Sequence, residues 1–420
     1  LDHVVQVIFF GLLVVLALLS AGHALQLKRD PRSALGWIVV CLTIPFFGPF
    51  LYWSMGINRI SRTARQWLES GKRLAGWENF PPGADRHTSR ALPPAAAYLN
   101  NFRALSDRVV NSQLIPGNRI VPLENGEKAY PAMLAAINAA VRSINLSTYI
   151  FDGDVTGHSF VNALKSAVDR GVEVRVIIDS LGEKYSRPTV CKLLKGSAVK
   201  VGRFLPLRQG GYINLRNHRK ILVVDGLTGF TGGMNIGDRH LVAREGGPAV
   251  VKDMHFLVEG PVVSDLQRTF LEDWYFVTGE LIQDKGFFPV IPLAGAAFVR
   301  AVSDGPDKEF RKLNWIIQGA LSCARDRVLI MTPYFIPDRS LVSALITAAL
   351  RGVEIIMVLP AKNNLPFVHW ASRSYLWELL QHDIRIYYQP PPFVHTKLLL
   401  LDSIWSLIGS ANLDPRSLRL

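Results

Sequence analysis

The sequence predicts an α/β protein of two related lobes that follow an N-terminal transmembrane helical hairpin. Three observations carry that prediction. A short motif, His-x-Lys-x4-Asp, occurs twice, as His218, Lys220 and Asp225 and again as His395, Lys397 and Asp402, with each position 177 residues from its match. The helix-like and strand-like segments around the first copy return in the same order around the second. Two apolar stretches free of Asp, Glu, Lys and Arg open the chain.

The chain has 420 residues, 49% of them hydrophobic, enough for more than one domain and high for a protein without a membrane part. A formal net charge of +13 favours an anionic partner, either nucleic acid or an acidic lipid surface. The three cysteines, Cys41, Cys191 and Cys323, form no CxxC and no disulfide framework, which fits a reduced compartment or simple indifference to redox.

The first apolar stretch, 4–27, is long enough to cross roughly 30 Å of hydrocarbon and ends at Lys28-Arg29-Asp30. The second, 33–57, has Trp37, Tyr52 and Trp53 near its ends, like interfacial anchors, and Pro45 and Pro49 predict a kink or a re-entrant turn. Residues 1–58 therefore read as the membrane hairpin. Arg59, Arg62, Arg65, Lys72 and Arg73 follow, and they lean the C-terminal side toward the cytosol. Residues 59–128 read as a basic juxtamembrane segment and an irregular linker or lid.

The regular pattern begins at residue 129. Helices 131–143 and 159–170 alternate with strands 144–151 and 172–179. In the second lobe, helices 312–325 and 339–350 alternate with strands 328–335 and 353–359. Arg170-Gly171-Val172-Glu173 recurs as Arg351-Gly352-Val353-Glu354, and Thr148-Tyr149-Ile150-Phe151 is echoed by Thr332-Pro333-Tyr334-Phe335. The lobes span 129–275 and 309–420, with a connector at 276–308. Such alternation implies a largely parallel sheet covered by helices in each lobe. Leu1 is not Met and Leu420 falls within a periodic segment, so both ends read as trimmed and the second lobe as cut short.

The chemistry sits in the repeated motif. His and Lys two apart on a strand share a face. With a two-residue loop after each Asp, the returning strand sets Gly233 beside Lys220 and Asn235 beside His218. In the second lobe it sets Ser410 beside Lys397 and Asn412 beside His395. Each Asp then lies roughly 16 Å along the strand from its Lys, which suits Asp225 and Asp402 to a structural role. Lys and Asn can hold phosphate oxygens and stabilise a five-coordinate transition state. One imidazole can attack phosphorus while the other shuttles the proton. Each copy is thus half of a phosphoryl-transfer site that needs no metal. His240 and His255 are too isolated in sequence to argue for one.

These residues resemble the phospholipase D superfamily, marked by a doubled H-x-K-x4-D with a downstream G-[GS]-x-N. Within it the chain is similar to the bacterial cardiolipin synthases. The support lies in Pro31 to Trp37 opening the second apolar stretch, in Asn217 to Lys220, in Thr231 to Asn235, and in Val394 to Lys397 leading to Gly409 to Leu418. The resemblance implies two phospholipase D-like lobes related by a pseudo-twofold axis. It also implies a multi-pass protein of the bacterial inner membrane with cytosolic lobes. The implied reaction joins two phosphatidylglycerol molecules into cardiolipin and glycerol through a phosphatidyl-histidine, without cofactor, nucleotide or metal. By that carry-over His218, Lys220 and Asn235 form one half-site, and His395, Lys397 and Asn412 the other, with His218 as nucleophile and His395 as acid and base. The superfamily also uses an acidic residue after each motif to orient a histidine. Asp253 fits that role in the first lobe, and the second lobe's counterpart falls past Leu420.

Phosphatidylglycerol and an anionic bilayer are the partners expected. A hydrolytic phosphodiesterase, acting on phospholipid or nucleic acid, shares the chemistry and differs in acceptor. The apolar stretches disfavour a nuclease, and the intact His and Lys in both copies disfavour a non-catalytic membrane scaffold. Another phosphatidyl acceptor, such as phosphatidylethanolamine, stays open, as does the oligomeric state.

Overall fold

The computed structural model describes residues 2–28, 31–57, 91–110, 112–205, 217–243, 250–303, 312–363 and 366–413. The chain divides into two compact units, one built from residues 1–72 with 209–212 and the other from the remainder.

The first unit begins with α1 (Asp2–Leu27). At 1.5 Å per residue it is about 39 Å long, more than the hydrocarbon core of a bilayer. Most of its large side chains stand exposed, among them Phe10 at 68% and Leu19 at 65%, a surface suited to lipid rather than water. Its small residues Ala21 and Ala24 pack against Cys41 and Tyr52. Two polar contacts tie the return segment to it: Tyr52 Oη lies 2.8 Å from His23 Nδ1, and Trp53 Nε1 donates to Ser20 Oγ at 2.9 Å.

The second apolar stretch is not one continuous helix. It breaks into α2 (Pro31–Thr43) and α3 (Phe47–Leu51), followed by a wide turn at Tyr52–Gly56. Pro45 lacks the N–H that would continue the helix, so α2 stops after about 20 Å. Gly48 lets the chain fold back there, since a Cβ would meet the Val40 carbonyl oxygen at 2.2 Å. Among the described helices α1 alone is long and apolar enough to cross a bilayer. The basic run from Arg59 to Arg73 lies outside the described residues.

The second unit opens with α4 (Asn100–Val110). The first lobe then contains β1 (Ile115–Glu124), α5 (Asn125–Ala139), β2 (Ser143–Thr148), α6 (Val155–Asp169), β3 (Glu173–Asp179), the short α7 (Val190–Leu193) and β4 (Lys200–Phe204). It continues with β5 (Ile221–Val224), β6 (Thr228–Gly232), β7 (Val251–Lys252), β8 (Met254–Glu259), α8 (Val263–Thr278) and β9 (Ala297–Val299). Eight strands form one mixed sheet in the order β4-β3-β2-β5-β6-β8-β1-β9. Both faces are covered. Leu222 and Val224 of β5 pack with Phe160 and Leu164 of α6, whereas Ile221 and Val223 join Val263 of α8 on the other face. A strand buried on both sides needs apolar residues at every position, which Ile221-Leu222-Val223-Val224 supplies.

The second lobe contains α9 (Lys312–Cys323), β10 (Arg327–Met331), α10 (Arg339–Leu350), β11 (Glu354–Pro360), α11 (Pro366–Leu380), β12 (Arg385–Gln389), β13 (Phe393–Val394), β14 (Leu398–Leu401) and β15 (Trp405–Ile408). Its sheet order, β12-β11-β10-β14-β15, repeats the β4-β3-β2-β5-β6 half of the first sheet, with the same parallel and antiparallel pairings. The local signals repeat as well. Asp154 caps α6 by accepting from Gly157 N–H, and Asp338 caps α10 by accepting from Leu341 N–H, each at 2.9 Å. Gly171 and Gly352 close the two helices at φ of 87° and 88°, a left-handed turn that glycine adopts without strain.

The segments read as linker and connector differ from expectation, because each donates structure. Phe102 of α4 packs in the second lobe's core, edge-on to Trp405 with centroids 5.4 Å apart. β1 pairs with β8 along six residues and with β9 through an irregularity between Ile115 and Asn118. Pro116, Gly117 and Pro122 hide that strand from a pattern reading.

Candidate active site

Each motif lies at the mouth of a strand. His218 and Lys220 immediately precede β5, and His395 and Lys397 precede β14. β5 and β14 run antiparallel to β2 and β10, with Ile221 opposite Ser147 and Leu398 opposite Met331. The motif residues therefore sit where β2 and β10 end. Lys220 curls back to donate to the carbonyl oxygen of His218 at 2.7 Å, and Lys397 does the same to His395. Lys220 Nζ is also 3.3 Å from His218 Nδ1.

The hairpins differ from the expected register by one residue. Val224 pairs with Thr228 and Leu401 with Trp405, so three residues turn the chain rather than two. Asp225 (φ 54°) and Asp402 (φ 52°) adopt the left-handed conformation that starts such a turn, joined by Gly226 (φ 68°) and Ser403 (φ 55°). Their carboxylates stay far from the imidazoles. Asp225 accepts from the N–H groups of Val141, Arg142 and Ser143 at 2.8–3.0 Å. Asp402 accepts from those of Arg325, Asp326 and Arg327 at 2.9–3.0 Å, and from Tyr98 Oη at 2.8 Å.

After the hairpins, Gly232 (φ 155°) and Gly409 (φ 151°) turn the chain out of the ladder. Bridges between Phe151 and Ile236 and between Phe335 and Leu413 then bring both asparagines to the ends of β2 and β10. Asn235 is buried; its Oδ1 accepts from Ile150 N–H at 3.1 Å and its carbonyl from Tyr130 Oη at 2.8 Å. Asn412 is buried too, with Oδ1 lacking a partner among the described residues. Residues 414–418 of the resemblance lie outside those described.

The halves meet through a two-stranded parallel ribbon, β7 with β13, and His395 N–H donates to the Lys252 carbonyl at 2.8 Å. The ribbon carries Asp253 of the first lobe to His395 of the second: Oδ2 lies 2.9 Å from Nδ1. The acid that follows the first motif thus faces the histidine of the other. Gly233 makes room for it, since a Cβ there would meet Asp253 Oδ1 at 2.3 Å. Burial alone would raise the Asp253 carboxyl, but Lys397 and the bond to His395 outweigh it and hold it well below the usual range.

The remaining groups are destabilised as cations. Burial, reinforced by Lys220, Lys397 and His395, holds His218 well below the ordinary histidine value. Burial and Lys397 push His395 down to about 4, against the pull of Asp253. Lys220 is lowered by burial and by Lys397. Two lysines and two imidazoles therefore share a buried space with the carboxylates of Asp253 and Asp179, and an entering anion would favour the cationic forms. Among the described residues no three His, Cys, Asp or Glu side chains converge as a metal set.

Two residues were not singled out as site residues in the sequence. The Tyr149 ring lies 4.6 Å from that of His218 at 32°, with Lys220 Nζ 5.4 Å from its centre. The Tyr334 ring stands edge-on to His395 at 6.3 Å. Their signal was the doubled Thr-Tyr and Thr-Pro-Tyr segment, which sequence showed as a repeat without a role.

Comparison with known proteins agrees with this architecture. The family described as "Cardiolipin synthase, PLD-like domain" matches residues 133–274 and 317–420, and the one described as "Phospholipase D-nuclease N-terminal" matches 13–56. Cardiolipin synthase of Geobacillus thermodenitrificans is 30% identical over 98% of this chain and 82% of its own. That of Oceanobacillus iheyensis is 32% identical over 98% and 87%. Among solved structures, phosphatidylserine synthase of Haemophilus influenzae shares the fold at a TM-score of 0.55, with 15% identity, over 76% of this chain and 84% of its own.

Proposed function

The chain belongs to the cardiolipin synthase family of phospholipase D-like proteins, and on that premise we propose that it is a membrane-bound phosphatidyltransferase making cardiolipin and glycerol from two phosphatidylglycerol molecules. The observation that carries the reading is the bond between Asp253 and His395, which joins the two lobes in one site that also holds Lys220 and Lys397.

The phosphodiester anion of phosphatidylglycerol binds between Lys220 and Lys397. His218, kept neutral by burial and its cationic neighbours, attacks phosphorus. The N–P bond forms and the bond to the glycerol oxygen breaks. With the phosphodiester anion bound beside it and Asp253 on Nδ1, His395 is protonated; it gives that proton to the departing oxygen, and glycerol leaves. The terminal hydroxyl of a second phosphatidylglycerol then loses its proton to His395 and attacks phosphorus. The N–P bond breaks, His218 returns to neutral, and cardiolipin is released. Asp253 holds the His395 ring and stabilises its protonated form, a role that suits the shuttle better than the nucleophile. Asn235 and Asn412 direct amides toward the phosphate, while Asp225 and Asp402 hold the hairpins. The two lobes act as pseudo-twofold halves of this one centre. The protein resides in the bacterial inner membrane, the lobes facing the cytosol and the second apolar stretch completing a hairpin.

The test is the protein in mixed micelles with labelled phosphatidylglycerol as sole lipid, without nucleotide or added divalent metal. Equal amounts of cardiolipin and glycerol are expected. Strict dependence on CDP-diacylglycerol overturns the reading, and phosphatidic acid as sole lipid product makes the protein a hydrolase instead.

A further inference from the structure

One helical face of the second lobe has no part in this chemistry. Along α11, Trp370, Arg373, Trp377 and Leu380 recur every three or four residues and form one stripe. The two indoles are 68% and 57% exposed and Leu380 is 55% exposed. The opposite side of the helix, through Leu376 and Leu379, belongs to the lobe's core. The helix is thus apolar on both faces, which a water-facing surface does not require. Between residues 370 and 380 the sole carboxylate is Glu378, and Arg339 engages both its oxygens at 2.5 and 3.1 Å. The stripe presents two indoles, an aliphatic side chain and a guanidinium, with no acid of its own.

Its place in the fold is informative. The segment leading into α11 is tied to the rim of the site, since Asn363 Nδ2 donates to the Pro333 carbonyl at 3.0 Å, one residue before Tyr334, whose ring faces His395. The edge strand β12, next after α11, exposes Tyr387 at 54%. After the matching strand of the first lobe, β3, the described residues hold a 3-10 turn at Gly182–Tyr185 and the four-residue helix α7, with no tryptophan. The stripe is therefore an addition to the second lobe and no by-product of the repeat.

We propose that the outer face of α11 docks the catalytic unit on an anionic phospholipid surface. Trp370, Trp377 and Leu380 enter the boundary between headgroups and acyl chains, and Arg373 meets lipid phosphates. Indole is suited to that boundary because its ring is apolar and its N–H still finds water or headgroup oxygen. Arg373 without a neighbouring free acid, on a chain of net charge +13, selects an acidic surface. Docking here brings the rim at Pro333 and Tyr334 to the lipid, shortening the path of a two-tailed substrate to a buried phosphorus site. The choice of an anionic lipid rests on the proposed substrate.

The first test needs no turnover. The whole chain is placed in nanodiscs of brominated phosphatidylglycerol or brominated phosphatidylcholine, and its tryptophan fluorescence is compared with that of Trp370→Phe/Trp377→Phe. The difference between the two proteins reports these two indoles. It is expected to show strong quenching in phosphatidylglycerol and at most about half as much in phosphatidylcholine. Arg373→Glu, which leaves both indoles in place, is expected to reduce the quenching in phosphatidylglycerol. On vesicles, Trp370→Ser/Trp377→Ser should raise the apparent KM about tenfold, while kcat with a short-chain, monomeric phosphatidylglycerol is unchanged. Equal quenching in wild type and Phe variant overturns the proposal. So does a dimer in lipid-free detergent that the Ser variant converts to monomer, which would assign the face to a second copy.

Discussion

The two lobes share a topology and differ in what surrounds their histidines. Each has the same five-strand order, the same Asp-capped helix, the same Lys folded onto the histidine carbonyl and the same Asp under the hairpin. His395 has a carboxylate on Nδ1, whereas His218 has Lys220 at 3.3 Å and the tilted ring of Tyr149 beside it. The first sheet is covered on both faces. The second alternates buried and half-buried residues along β10 and β14, so one of its faces is less covered among the described residues. Among the described residues a duplicated frame thus gives its two histidines unlike surroundings, with a carboxylate carried from the first lobe set against the second lobe's imidazole.

The largest test of that asymmetry is to remove each histidine in turn. His218→Ala and His395→Ala should each lower kcat by about ten-thousandfold or more, since the halves form one centre. Only the His395 variant should retain acid-labile label from phosphatidylglycerol phosphorus, and label on the His218 variant would reverse the assignment. Next comes Asp253→Asn, which keeps the shape but loses the charge on His395. A fall in kcat of about a thousandfold, with the folded far-ultraviolet spectrum intact, is expected. If Asp253→Asn retains full kcat, the carboxylate has no part in tuning that imidazole.

Asp225→Asn and Asp402→Asn test the shared frame. Asparagine tolerates the left-handed conformation, so the change isolates the carboxylate from the turn. Each should cost about 2 kcal/mol of stability with turnover per folded molecule nearly unchanged, and Asp402→Asn should cost more because Tyr98 loses its acceptor as well. A folded but inactive Asp225→Asn protein would place that carboxylate in the chemistry after all.

The smallest effect concerns acid. Burial lowers His240 to about 3 and His255 to about 4, from 6.5, and both lie in the first lobe. The folded protein therefore binds fewer protons than the unfolded chain below pH 6.5. Stability is complete above that pH and declines as pH falls toward the folded values. His255→Gln should remove roughly 2 kcal/mol of the loss seen between pH 7 and pH 5 by thermal unfolding in detergent.

Much of this was legible in one dimension. The strands at 144–151 and 172–179, the helix at 339–350, and both His-Lys pairs follow from periodicity and repetition, because local pattern reflects which face a residue buries. The hairpin register was missed by one residue, since Asp at positive φ lengthens the turn and an Asp-Gly pair alone does not count it. Strand β1 was missed because Pro116 and Pro122 read as loop, although its neighbours β8 and β9 supply the pairing that sustains it. The break in the second apolar stretch was legible from Pro45 and Pro49, because a residue without an N–H interrupts a helix wherever it lies.

Sequence by itself determined the doubled His-Lys motif, its spacing and the α/β frame. These rest on spacing along one strand or helix, and such spacing survives any placement of the lobes. Only the tertiary structure decided that Asp253 serves His395, that Tyr149 lies against His218, and that α4 from before the first lobe packs into the second. Each is a contact between residues far apart in the chain, set by which surfaces the packed lobes bring together, and no local pattern records it.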